Sequence, residues 1–283
     1  MAEKLLNNNN RSFWNEARKM RGCNTAKVPS VIDDAIGDEA IAEVFANKFR
    51  SVFNSVGYHQ DKIKDTLNVC NDRLKKVDND CIKETVLTDD DILCAIRKLK
   101  SGKNDGNIGL FSDHIIHGSS KLVKMLRILF NMMIVHGISP RDMMVGTTVP
   151  IPKGKRLNVQ KSDNFRGICL QSILCKILDL CILSKNKNGL QSSDMQFGFK
   201  DGLSTGMATA VVTETLDYYL DNNGCVYMLA LDASKAFDRV EFTALFEKLL
   251  NRDINPLFIR LLYNMYVNQE LRVRFNSKTS KYF

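Results

Sequence analysis

Seven consecutive apolar residues stand in the C-terminal third of the chain, between a turn and a charged residue. They read Cys225-Val226-Tyr227-Met228-Leu229-Ala230-Leu231, with Asn222-Asn223-Gly224 before them and Asp232 directly after them. A short uninterrupted apolar run between such boundaries predicts a central strand that is buried on both faces of a sheet. Asp232 would then lie at the exposed C-terminal end of this strand, and the next helix is predicted to begin between Ala236 and Asp238.

A carboxylate at the end of a buried strand, followed by a tight turn into a helix, is suited to holding Mg²⁺ against a polyphosphate. Mg²⁺ is usually bound by one or two carboxylates together with substrate phosphates. Backbone N–H groups near Lys235 and Ala236, at the predicted helix start, could face the same phosphates. Strand-end aspartates also cap helices, so Asp232 taken alone leaves both functions open.

Hydrophobic periodicity and capping residues predict a largely helical chain around this strand. Helices are predicted over Glu39–Val56, after the N-cap Thr88, from Ser119 or Ser120 to Gly137, and over about Ser172–Leu183, Gly206–Leu220 and Pro256–Val267. Two further strands are predicted. Thr147–Pro152 contains two prolines and is therefore expected at a sheet edge, and Leu271–Phe275 alternates between apolar and polar residues.

Composition places the chain among globular proteins and excludes several other classes. Of its 283 residues, 44% are hydrophobic and 25% are charged, which excludes disorder and collagen-like structure. No run approaches about 18 apolar residues, so a soluble intracellular protein in the cytoplasm or nucleus is expected, with no membrane partner. The eight cysteines form no C-x-x-C motif, and most are expected to be reduced core residues.

The net charge of +8 is concentrated in the middle of the chain. Residues 97–200 carry 17 basic and 6 acidic residues, whereas the flanking segments are slightly acidic. A basic segment of this size is typical of a phosphate-rich partner such as a nucleic acid or nucleotide. On charge alone, a solvated lysine-rich face accounts for it equally well.

Four ordered sequence blocks separate these alternatives. Residues 231–240 resemble the first catalytic motif of non-LTR (LINE-type) retrotransposon reverse transcriptases, L-D-x-x-K-A-F-D-x-V. Residues 196–205 resemble that family's Q-x-G-F-R-x-G-x-S-T block, and residues 149–153 with 164–170 resemble its fingers block. Leu99-Lys100-Ser101-Gly102-Lys103 resembles the block that opens the polymerase region.

The resemblance implies a role for each matching residue. Asp232 would be the catalytic residue that ligates Mg²⁺, and Phe237 would be a steric gate that selects deoxynucleotides. Lys153 and Arg166 would pair with the triphosphate of the incoming dNTP, while Lys235 and Ala236 would face it. Lys155, Gln196 and Gly198 would contact the RNA template or DNA primer.

Each assignment has a purely structural alternative. Phe237 could fill space against the sheet, Arg166 could pair with Asp163, Lys153 and Lys155 could be solvated loop residues, and Gly198 could be a turn glycine. The family resemblance favours the inherited pocket at Asp232, Arg166 and Lys153.

Parts of the family pattern are missing or altered. In the family, two further metal-binding carboxylates come from a Y/F-A-D-D hairpin, and this sequence contains no such tetrapeptide. Gly167 and Cys169 stand where the family has proline and serine. Asp105 and Ile108 replace a proline and an aspartate of the opening block. The lost proline is expected to loosen that loop, and the lost aspartate to remove a cap.

Together these observations predict an α+β fold: right-hand polymerase fingers with an incomplete palm and a helix-rich N-terminal extension. The expected domains are residues 1–90 as the extension, 91–224 as reverse transcriptase fingers, and 225–283 as a partial palm with the first catalytic motif. The function expected is that of a fragment of an RNA-directed DNA polymerase, inactive or nearly so by itself. The alternatives are a non-catalytic RNA- or DNA-binding remnant and a poorly folded product; the oligomeric state stays open.

Overall fold

The computed structural model describes residues 29–53, 60–75, 79–154, 157–252 and 254–283. The first part contains a small hairpin, β1 (Val31–Ile32) and β2 (Ala35–Ile36), followed by helices α1 (Asp38–Val52), α2 (Gln60–Leu74), α3 (Asn79–Thr85), α4 (Asp89–Arg97) and α5 (Ser112–Ile116). The middle contains α6 (Ser120–His136), α7 (Arg141–Met144), β3 (Val145–Pro152), a 3-10 turn (Ser162–Asn164), β4 (Phe165–Leu170) and α8 (Ile173–Lys185). The last part contains α9 (Thr205–Asp221), α10 (Phe242–Leu250), α11 (Pro256–Val267), β5 (Glu270–Phe275) and β6 (Lys278–Thr279).

Helix boundaries follow from local capping chemistry. At α4, the Thr88 side chain accepts a hydrogen bond from the backbone N–H of Asp91, and the Asp91 carboxylate accepts one from the backbone N–H of Thr88. Ser172 and Asn255 cap α8 and α11 in a similar way, and Gly137 ends α6 in the left-handed conformation that glycine adopts readily. The predicted helices are therefore confirmed at most positions.

A four-stranded mixed sheet has the order β4-β3-β5-β6. β3 is antiparallel to β4 over Thr147–Pro152 and parallel to β5 over Val145–Thr148. The edge-strand prediction for Thr147–Pro152 is thus wrong at Thr147 and Thr148, which have a neighbouring strand on each side. It holds for the half that contains Pro150 and Pro152, because there β5 supplies no partner that would need the missing proline N–H.

Two hydrophobic cores stabilise the described part of the chain. The larger core lies among helices and includes Phe130 of α6, Leu178 of α8 and Ile259 of α11. The smaller core lies where α1 covers one face of the sheet, and there Phe45 packs edge to face against Phe165 with ring centroids 5.0 Å apart. Residues near the N-terminus therefore complete the sheet's packing. Among the described helices, none combines the length and apolarity needed to cross a membrane.

The predicted central strand at residues 225–231 is wrong. This segment pairs with no strand in the described part of the chain, and the side chains of Tyr227 and Leu231 are 97% and 88% exposed. A strand is stable only when neighbouring strands satisfy its backbone groups, and the described sheet ends at β4 and β6. The preceding helix α9 was predicted correctly, yet it contains no buried residue.

Candidate functional site

The β3–β4 hairpin positions two of the predicted nucleotide-binding cations. Arg166 lies opposite Ile151 in the antiparallel register, and its side chain is exposed. Lys153 follows the end of β3. Its backbone N–H donates to the carbonyl of Asn164 at 2.8 Å, and its Nζ donates to the carbonyl of Asp163 at 2.6 Å. The hairpin therefore places both cations at the same end of the two strands.

Asp163 lies at the centre of a basic cluster. Lys48 Nζ of α1 is 2.8 Å from Asp163 Oδ1, and it also donates to Ser162 Oγ at 3.3 Å. The hydrogen bond from Lys48 holds the pKa of the Asp163 carboxyl below its usual value, and the positive charges of Lys153 and Lys235 act in the same direction. One lysine therefore pairs with this carboxylate, and the charges of two lysines from other segments act on it.

The segment that carries Asp232 acts on this cluster through the charge of Lys235, but it does not have the predicted geometry. Lys235 has φ 53°, in the left-handed region, and residues 234–239 form turns. The helix begins only at Phe242, so the prediction of a helix start at 236–238 is wrong, and so is the prediction that its N-terminal N–H groups lie near Lys235 and Ala236. A left-handed residue at this point interrupts the helical hydrogen-bond pattern.

Phe237 does not fill space against the sheet. Its side chain is 74% exposed, and its ring packs edge to face against Phe199 with centroids 5.4 Å apart. Asp232 is also exposed, because the segment before it is not a buried strand. The structure thus leaves both side chains accessible to a ligand.

The predicted nucleic-acid contacts lie in an exposed loop. Gln196 Nε2 donates to the carbonyl of Gly198 at 3.0 Å, which links the two residues directly. A Cβ added at Gly198 would meet no atom within 4 Å, so packing does not require glycine there. Lys155 lies outside the described residues.

Residues 151–282 match the family model for the reverse transcriptase, an RNA-dependent DNA polymerase. This part of the chain is a reverse transcriptase domain. The match begins at residue 151, near the end of β3, and includes β4 and residues 231–240. It thus includes every residue assigned above to the nucleotide and nucleic-acid contacts. The match indicates the family of RNA-directed DNA polymerases for this part of the chain.

Catalysis in this family requires divalent metal ions. A catalytic site therefore needs enough side chains that can bind such ions. Two-metal phosphoryl transfer needs several carboxylates around the ions. Over the described ranges, no three His, Cys, Asp or Glu side chains cluster closely enough to hold a metal ion. Asp232 by itself therefore does not fit a two-metal site.

Sequence reasoning missed Lys48. It paired Asp163 with Arg166 as the structural alternative, whereas the partner of Asp163 is Lys48, 115 residues away. No local pattern signals such a contact, because it depends on how α1 packs across the sheet. The sequence indicates this contact only by placing a lysine between two core phenylalanines of a helix, Phe45 and Phe49.

The loop of the opening block is better ordered than its sequence suggested. Asp105 is buried, and its Oδ1 accepts hydrogen bonds from the backbone N–H groups of Asn107 and Gly109, each at 3.1 Å. Asn104 Oδ1 accepts another from the N–H of Gly106 at 2.6 Å. Asp105, which replaces the family's proline, therefore provides the kind of turn-stabilising bond that was predicted to be lost.

Proposed function

We propose that this chain supplies the nucleotide-binding fingers and the first palm motif of a non-LTR retrotransposon reverse transcriptase. The observation that carries the proposal is that the β3–β4 hairpin places Lys153 and Arg166 at the same end of its strands, where the charge of Lys235 also acts on Asp163. The two lysines belong to different family blocks, more than eighty residues apart in sequence. Their shared electrostatic action on Asp163 supports a common triphosphate pocket.

The chemistry of these side chains suits a nucleoside triphosphate. Arg166 offers a planar fork that can bind two phosphate oxygens at once, and lysine supplies a compact point charge. The exposed ring of Phe237 can lie under the sugar and disfavour a 2′ hydroxyl. Gln196 and Gly198 are proposed to follow the template or primer backbone.

The 283-residue chain is proposed not to extend a primer by itself. Asp232 is the one candidate metal-binding carboxylate of the matched motif, and the sequence contains no Y/F-A-D-D tetrapeptide. Primer extension on an RNA template with dNTPs and Mg²⁺ tests this, with Asp232→Ala as the control. Extension by the wild type that is lost in Asp232→Ala would overturn the proposed inactivity and would confirm the assigned residue.

Nucleic-acid binding without catalysis is the second candidate, and the basic segment 97–200 favours it. Binding of a fluorescent RNA–DNA hybrid should fall steeply with salt, because each neutralised phosphate releases counterions. Lys153→Ala should weaken binding and reduce the slope of log K against log salt by about one. Lys64→Ala is the matched control, because Lys64 is exposed on α2 and lies outside the basic segment. Absence of binding at moderate salt would remove this candidate.

A further inference from the structure

We propose that Lys48 of α1 is a further binding residue of the triphosphate pocket, and that the Asp163 carboxylate occupies the phosphate position in the free protein. The inference rests on the proposed function, since it concerns the same pocket. It adds a residue that lies outside the matched segment 151–282 and far from every recognised sequence block.

Lys48 is held in place by the packing of its helix. Phe45 and Phe49, on either side of it in sequence, are buried against the sheet, and Phe45 contacts Phe165 at the start of β4. The Lys48 side chain is only 16% exposed, while that of its partner Asp163 is 93% exposed. The cation is therefore fixed, and the carboxylate is free to move away.

The turn that carries Asp163 is also anchored from the N-terminal part of the chain. The backbone N–H of Ser162 donates to Asp33 Oδ1 at 3.1 Å, and the N–H of Asp33 donates to the carbonyl of Gln160 at 2.9 Å. The Asp33 carboxylate is thus engaged with the turn. Residues 33 and 48 build the site together with the β3–β4 hairpin.

The ion pair between Lys48 and Asp163 does not by itself explain this arrangement, because an ion pair with an exposed partner contributes little to stability. Here a second cation is directed at the same turn, since Lys153 Nζ binds the carbonyl of Asp163 at 2.6 Å. A polyphosphate carries several charged oxygens and can bind both lysines, which one carboxylate cannot do as well. It would also be repelled by Asp163, so the carboxylate must swing out when the ligand binds.

Isothermal titration calorimetry of the 283-residue chain with inorganic tripolyphosphate and with dTTP tests the inference. Asp163→Asn should bind both probes about three- to tenfold more tightly, because it removes a competing negative charge. Lys48→Gln should bind them about tenfold more weakly, and Lys48→Arg should restore binding. Lys185→Gln and Asp194→Asn are matched controls, since each breaks a lysine–aspartate pair elsewhere on the molecule.

The double variant Lys48→Gln/Asp163→Asn separates direct binding from an indirect effect. If Lys48 binds phosphate, Lys48→Gln weakens binding in the Asp163→Asn background as well. If Lys48 only neutralises Asp163, Lys48→Gln has no effect on binding in the Asp163→Asn background, and the inference is overturned.

Other outcomes separate this inference from the proposed function. If Lys153→Gln weakens binding but Lys48→Gln and Asp163→Asn do not, the pocket stands and the role of Lys48 is wrong. If neither Lys153→Gln nor Lys48→Gln changes binding, or if no variant binds either probe, the pocket itself is refuted. Thermal melts of every variant ensure that a loss of binding reflects a folded protein.

Discussion

Gly167 stands where the family has proline, and the packing of this chain explains why a glycine is needed there. A Cβ at this position would lie 2.8 Å from Cγ2 of Thr148 and 3.0 Å from the ring of Phe49. Both neighbours are buried, so neither can move aside easily. Where the family has proline, this protein has a strand position that must remain without a side chain so that α1 can approach the sheet.

Gly167→Ala should therefore destabilise the protein. Inserting a methyl group into this packed site is expected to lower the free energy of unfolding by about 1–3 kcal/mol, measured by urea denaturation. Gly154→Ala is the control, because its added Cβ would meet Leu157 at an ordinary 3.7 Å. Equal stability of the two variants would show that α1 does not approach β4 as closely as these distances indicate.

Asp91 gives a prediction for pH dependence. Burial raises the pKa of its carboxyl, but hydrogen bonds from Thr88 and Lys185 outweigh burial, and the pKa lies below its usual value. A carboxyl whose pKa is lower in the folded state stabilises the protein fully above the unfolded value, about 3.9, and this stabilisation is lost as the pH falls through the folded pKa. Asp91→Asn should cost about 1 kcal/mol at pH 7.

The difference between wild type and Asp91→Asn should shrink as urea unfolding is repeated at pH values below about 4. Asp90→Asn serves as the comparison, since Asp90 is exposed in the same helical turn. A difference that stays constant down to acid pH would contradict the assigned cause of the pKa shift.

At the scale of elements, segment 225–231 and helix α9 show that an apolar sequence does not by itself determine whether an element is buried. Both have apolar sequences, yet α9 buries no residue and the segment pairs with no strand in the described chain. Residues 201–234 contain five acidic and no basic residues, so this exposed apolar region is also negatively charged. Extended stretches of exposed apolar side chains are uncommon on the surface of a monomer.

Leu229→Asn should leave the stability of the 283-residue chain within about 0.5 kcal/mol of wild type, because the side chain is already exposed to solvent. Leu178→Ala, in the helical core, should cost about 2–5 kcal/mol in the same thermal or urea experiment. A loss above about 2 kcal/mol for Leu229→Asn would show that the segment is a buried strand after all.

Across the whole molecule, the cysteines report which regions are packed. Cys175 and Cys181 lie in the helical core, where burial raises the pKa of each thiol to about 12. Cys94, Cys169 and Cys225 are exposed. Among the described cysteines, the expectation of core residues is therefore correct for Cys70 and for the two cysteines of α8 but wrong for these three.

Iodoacetamide at about pH 8 should label Cys225 and Cys94 quickly and should label Cys175 and Cys181 only after unfolding, because the thiolate is the reacting form. Peptide mass spectrometry of native and urea-unfolded samples measures this. Protection of Cys225 in the native sample would indicate that residues 225–231 are covered by another surface.

The helices were predictable from the sequence because their information is local: spacing of apolar residues, caps at Thr88, Ser172 and Asn255, and the glycine after α6. The reverse transcriptase motifs were also legible, since they are contiguous. Whether residues 225–231 form a strand was not predictable, because a strand depends on neighbouring strands that no local pattern encodes. The same holds for Lys48 and Asp163, which meet only because α1 packs across the sheet and thereby brings a distant cation to the pocket.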